Sequence, residues 1–156
     1  MRLEYFEIID RIVDLQLAER TIRCEADFPA KSTIFDGHFP TYPLVPGVLL
    51  AEAMAQTAGW LIVAVENFER MPFLAALRDT KFRTFVTPGQ RLSLSARLVN
   101  HSSGFALAEA KGEVNGKIVC DGMLTFLIGD YPTPHLRQHS HDFATKIGFP
   151  FAALAK

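Results

Sequence analysis

Two stretches of the chain alternate between apolar and polar positions with a period of two. Residues 21–28 set Ile22, Cys24, Ala26 and Phe28 against Thr21, Arg23, Glu25 and Asp27, and residues 91–98 set Leu92, Leu94, Ala96 and Leu98 against Arg91, Ser93, Ser95 and Arg97. Such alternation marks half-buried strands. Residues 6–13 give a less clean strand, and the apolar run 72–77 a short buried one. Two further extended runs, 105–113 and 117–128, flank Asn115-Gly116. An Asn-Gly pair between extended runs is the strongest short-range hairpin signal. Thr87-Pro88-Gly89-Gln90 reads as a turn leading into the strand at 91.

The pattern changes between residues 43 and 65, where the only charge is Glu52. The spacing predicts one long helix over 48–66, about 28 Å at the standard rise. It is apolar on all faces, so either lipid or other protein surrounds it. Glu52 and Gln56 would be expensive in lipid, Pro46-Gly47 would break a span beginning at 43, and no basic residue flanks it closely. The expectation is therefore a helix enclosed by the protein itself, with no membrane insertion. Five or six antiparallel strands and one such helix fit an α+β single domain, a curved sheet wrapped around the helix. Residues 29–46, rich in Pro and Gly, form an irregular lead-in. The domain is read as 1–130. Residues 131–156, with three histidines and a closing FPFAALAK, are read as a C-terminal extension that packs on it or trails from it.

Composition adds mainly exclusions. The 156 residues suit one domain, and a net charge of −1 is no footprint for nucleic acid. Cys24 and Cys120 stand in no metal or redox spacing, which predicts two reduced, buried thiols in a cytoplasmic protein. Early acids at Glu4, Glu7 and Asp10 rule out a secretory leader in the opening residues. His135, His139 and His141 are read as polar tail residues, with no metal expected.

The chemistry concentrates in residues 35–56, FDGHFPTYPLVPGVLLAEAMAQ. Pro46 suits the first helical turn, Gly47 allows close approach of a ligand, and no Ser, Thr, Asp or Asn stands at the cap. The amides of Gly47, Val48 and Leu49 thus lack an obvious side-chain acceptor and suit an oxyanion, although water would serve as well. Glu52 sits among apolar neighbours, so it must either reach a cavity or titrate above the usual carboxylate range. Gln56, four residues on, can hold its carboxyl. His38 is the side chain best matched to proton transfer near neutral pH. A base, an acid and free helix-start amides together meet the needs of one reaction: removing a proton beside a carbonyl, stabilising the oxyanion and expelling a hydroxyl.

HFPTYPLVPGVLLAEAMAQ resembles the signature HFPGxPxxPGVLxxEAMAQ of the bacterial 3-hydroxyacyl-acyl-carrier-protein dehydratases. IIDRIVDL, DTKFRTFVTPGQ and GEVNGKIVCDGMLTF extend the likeness over roughly residues 5–128. The resemblance implies a hot-dog fold, at least a homodimer, no cofactor and a substrate carried on acyl carrier protein. It implies that His38 takes the C2 proton, oriented by the carbonyl of Leu44, while Glu52, held by Gln56 on the other subunit, helps the C3 hydroxyl leave. The Gly47 amide would polarise the thioester carbonyl, and Lys81, Arg83 and Arg78 would form a basic rim for the acidic carrier. Glutamate at 52, where the isomerising relatives carry aspartate, implies dehydration without isomerisation. The family's glycine after HFP is Thr41 here, which would be strained if that position needs positive φ. Two alternatives are a hot-dog acyl thioesterase, which His38 argues against, and a non-catalytic carrier-protein binding partner, which retention of both His38 and Glu52 argues against.

Overall fold

In a computed structural model, residues 1–154 are described. Six antiparallel strands form one sheet, β1 (Arg11–Gln16), β2 (Thr21–Asp27), β3 (Met71–Phe82), β4 (Arg91–Ser102), β5 (Phe105–Val114) and β6 (Lys117–Gly129). Their spatial order is β1-β2-β4-β5-β6-β3. Three helices accompany them, α1 (Thr33–Gly37), α2 (Gly47–Val65) and α3 (Pro134–Lys146). The sheet curls around α2, which is the hot-dog arrangement.

The inward positions are those of the alternating pattern. Ile22, Cys24 and Ala26 of β2 and Leu92, Leu94 and Ala96 of β4 are buried against the helix. The facing positions of β5 are alanines, Ala106, Ala108 and Ala110, so the helix lies close to the centre of the sheet. On α2, Ala53, Met54, Thr57, Ala58, Leu61 and Ile62 are fully enclosed, and the hydroxyl of Thr57 donates to the Ala53 carbonyl at 2.9 Å. The long apolar helix is therefore the core of the domain. Asn115 and Gly116 turn β5 into β6 with φ of 51° and 75°, as a primed hairpin turn requires.

Four expectations change. The strand near the start begins at Arg11, not at residue 6. Ile8 and Ile9 are both buried, which no alternating strand allows, and the Ile8 amide meets Gln56 of α2 instead. The run 72–77 belongs to a twelve-residue strand, β3, which is not buried. It lies at the edge of the sheet, with Phe73, Leu74 and Leu77 exposed and its outer side unpaired. The irregular lead-in contains α1, capped by Ser32, whose hydroxyl accepts from the Ile34 amide at 3.1 Å. Helix α2 runs one residue earlier than expected at both ends, with Pro46 as its cap and Gly47 as its first residue.

The segment after Asp130 forms α3. Thr133 caps it through the Leu136 amide at 3.2 Å, and Pro134 occupies the first turn. Ala144, Ile147 and Phe149 are buried, and the Ile147 carbonyl accepts from the Ile12 amide at 2.8 Å, tying the helix to β1. Aromatic rings from this segment, Phe143, Phe149 and Phe151, gather on Trp60 and Phe68. His141 stacks between Phe68 and Phe151, and His139 stacks on Phe143.

Candidate active site

His38 closes α1 and opens a tight loop. Its amide donates to the Ile34 carbonyl at 3.1 Å. Its own carbonyl accepts from the Leu44 amide at 2.8 Å, while its ring Nδ1 lies 3.1 Å from the Leu44 carbonyl. A carbonyl only accepts, so in the neutral ring Nδ1 carries the proton and Nε2 the lone pair. The ring is held flat by Phe39, with centroids 4.2 Å apart. Between them runs a turn in which Phe39 and Tyr42 exchange backbone hydrogen bonds, and Thr41 sits in it at φ 68°. Thr41 is thus left-handed, a conformation that strains a β-branched residue.

The loop leads into the start of α2. Among the described residues, the Gly47 and Val48 amides have no acceptor. The Leu49 amide does have one, donating to the Pro46 carbonyl at 2.9 Å, so two free amides remain rather than the three expected. The ring of Phe82, at the end of β3, stands over Gly47, where a Cβ would meet it at 3.5 Å. The Val45 amide donates to the Val86 carbonyl at 2.8 Å and pins the approach to the helix.

Glu52 lies a turn and a half further along. Its Oε1 accepts from Nε2 of Gln56 at 3.0 Å. Gln56 is itself clamped: Nε2 also donates to the Phe6 carbonyl, and Oε1 accepts from the Ile8 amide at 3.2 Å. The segment 6–9 therefore fixes the glutamine that fixes the acid. Glu52 opens onto a groove of about 370 Å³ that follows Ala55, Gly59 and Val63 along α2. This resolves the choice posed by its apolar neighbours, since the carboxyl reaches a cavity. His38 does not line this groove. Within one chain the structure brings Glu52 together with Gln56, and His38 with Leu44, but not the two pairs with each other.

Of the basic rim, Arg78 and Lys81 are exposed and without an ion-pair partner among the described residues. Arg83 is committed to Asp121 at 2.5 Å. Both thiols are free and buried, and burial pushes Cys24 up to about 12 and Cys120 up to about 11. Neither is a nucleophile near neutral pH. Among the described residues, no group of three or more His, Cys, Asp or Glu is arranged to hold a metal ion.

Sequence reasoning missed two parts of the site. Phe82 belongs to the Lys-Phe-Arg segment, but nothing in its pattern shows it folding over the helix start. The groove wall supplied by α3, through Leu136, His139 and Phe143, was hidden in a segment with no alternation and few apolar residues.

Residues 2–123 match the family model described as the FabA-like domain. The chain is 41% identical over 124 residues to a 3-hydroxyacyl-[acyl-carrier-protein] dehydratase FabZ of Streptococcus pneumoniae strain CGSP14, covering 79% of this chain and 87% of the relative. The corresponding enzyme of strain Hungary19A-6 matches to the same extent. Among solved structures, a conserved protein of Pseudomonas aeruginosa superposes with a TM-score of 0.63 at 18% identity, covering 80% of this chain and 90% of that one. A hypothetical thioesterase protein of Streptococcus pneumoniae, with coenzyme A, gives 0.61 at 10% identity, covering 79% and 88%. At such identities these structures speak for the fold alone.

Proposed function

Because the chain belongs to the FabA-like family, we propose that His38 and Glu52 are the base and acid with which it dehydrates 3-hydroxyacyl thioesters. It is a dehydratase of the FabZ type, acting on acyl chains borne by acyl carrier protein in fatty-acid biosynthesis. Nε2 of His38 takes the C2 proton of the 3-hydroxyacyl chain. The electrons left behind move onto the thioester oxygen, where the Gly47 amide receives them. The carbonyl then re-forms, the C2–C3 double bond closes, and the C3 hydroxyl departs as water with a proton from Glu52. No cofactor enters these steps.

One observation carries the assignment: the bond from Nδ1 to the Leu44 carbonyl fixes the tautomer of the neutral ring, so that Nε2 is the nitrogen able to take a proton. The hold of Gln56 on Glu52 supports the partner role, since it leaves Oε2 free to face a substrate.

The separation of His38 from the Glu52 groove supports an active site shared between two subunits, His38 from one and Glu52 from the other. A second copy also answers the question of the sheet edge. A long apolar edge strand left open to water invites pairing, and β3 shows Phe73, Leu74 and Leu77 there. Phe39, Tyr42, Val48 and Phe85 add exposed apolar surface around the loop and helix start. A homodimer joined along β3 would cover both. Arg78 and Lys81 flank the same region and suit an acidic carrier protein, with Arg83 contributing less because Asp121 already neutralises it. A carrier-protein substrate supports a cytoplasmic location.

The test is hydration of a crotonyl thioester, followed by loss of the conjugated enoyl absorbance. The wild type is expected to be active, and His38→Ala to lose at least a factor of about a hundred, the scale of a general base. Full activity in His38→Ala would refute the assignment. Release of free thiol without hydration would favour the thioesterase reading, and carrier binding without turnover the non-catalytic one.

A further inference from the structure

We propose that α3, which lies outside the residues matched by the family model, is one wall of the acyl-chain site and helps decide which chain the enzyme prefers. The proposal rests on Glu52 being the acid, and deepens that reading. The groove that Glu52 opens onto follows a single stripe of α2, from Glu52 past Ala55 and Gly59 to Val63. Eleven residues at the helical rise make that stripe about 16 Å long. An extended chain gains about 1.2 Å per bond, three bonds spanning one extended residue, so the stripe matches about a dozen carbons. Its surface is what an unbranched apolar chain needs. Gly59 keeps the floor low, since a Cβ there would already touch the Pro72 ring at 3.7 Å.

One side of the groove comes from β3 through Pro72 and Leu74, and the other comes from α3. Leu136, His139 and Phe143 stand at i, i+3 and i+7, one face of that helix. The face is held firmly from behind. Phe143 stacks on Trp60 with centroids 5.9 Å apart, Ala144 and Ile147 are buried, and the ends are tied by Arg137 to Glu69 at 2.7 Å and Lys146 to Glu7 at 2.8 Å. A rigid wall can discriminate by shape, whereas a loose one adapts. Each methylene it covers is worth about fourfold in binding. A chain of four carbons ends close to Glu52 and cannot touch this wall, while one of twelve carbons lies along it.

The experiment compares kcat/KM for pantetheine thioesters of trans-2-enoyl chains of four and twelve carbons, using the full-length protein. The wild type is expected to prefer twelve carbons by at least tenfold. Leu136→Trp narrows the groove and should lower that twelve-to-four ratio at least tenfold. His139→Trp, at an exposed position, is a second variant that cannot be lost to misfolding of the core, and it should lower the ratio in the same direction. An unchanged ratio in both variants, with the wild type active on four carbons, overturns the role of α3 and leaves the dehydratase reading standing. A variant that changes the mass of the assembly while leaving the ratio unchanged also overturns it, because a second copy rather than the acyl chain then occupies the groove. A wild type inactive on both chains refutes the acid–base assignment beneath it.

Discussion

The two ends of α2 are built on opposite principles. At its start, Gly47 and Val48 leave amides without acceptors, Glu52 keeps one oxygen free, and Val48 is among the most exposed apolar side chains. At its finish, Leu61, Ile62 and Ala64 are enclosed, and the Glu66 amide donates to the Ile62 carbonyl at 2.8 Å. The Glu66 carboxyl meets Nε2 of His101 at 2.6 Å, with both side chains less than a fifth exposed. Aromatic rings from α3 and the residues after it pack on Trp60 and Phe68. One end is left unsatisfied and accessible, the other saturated and closed. The contrast teaches that stability and chemistry draw on separate residues of one helix, so each can be altered without the other.

The sharpest way to break this comparison is to damage the closed end. Leu61→Ala removes a fully buried side chain and should cost about 2–5 kcal/mol of stability, read as a fall in the urea midpoint. The rate per folded molecule should stay as it was. A large loss of kcat in the folded variant would mean that the two ends are coupled. At the open end, Gln56→Ala deletes the hydrogen bond that holds Glu52. One such bond contributes about 0.5–1.5 kcal/mol, so kcat should fall about twofold to tenfold with KM little changed. Unchanged kcat would show that the segment 6–9 positions the glutamine for structural reasons alone.

A third measurement concerns the middle of the helix, where Cys24 lies against Thr57. Its folded value of about 12, and that of Cys120 near 11, stand above the ordinary thiol value of 9.0. Both thiols stay protonated in the folded state while the unfolded chain ionises. Stability from this source is therefore complete below pH 9 and declines as pH rises through 9 towards 11 and 12. Urea midpoints measured between pH 8 and 11 should show that decline, and the variant Cys24→Ala with Cys120→Ala should show less of it.

The sheet strands facing α2 were legible because alternation is a direct image of one buried face. Ile22, Cys24 and Ala26 needed nothing else, and Asn115-Gly116 named its own turn. The candidate site was legible only as a list of residues in order: His38, Leu44, Gly47, Glu52 and Gln56 all lie in one stretch. Their geometry was not. That Gln56 is clamped by the Phe6 carbonyl and the Ile8 amide depends on contacts across about fifty residues, which no local pattern records. Strand β3 misled because its apolar residues suggested burial, whereas an edge strand can be apolar when its cover comes from outside the chain. Helix α3 was missed because Ala144 is its one buried residue, with Ile147 just past its end, too few to print a period against its polar neighbours.

The ring of Phe82 above Gly47 has one more implication. A methyl at position 47 would touch that ring at 3.5 Å, an ordinary contact that folding alone would tolerate. The fold therefore does not demand glycine there. What glycine keeps at the helix start is an amide with no acceptor among the described residues, left bare beside an aromatic ring.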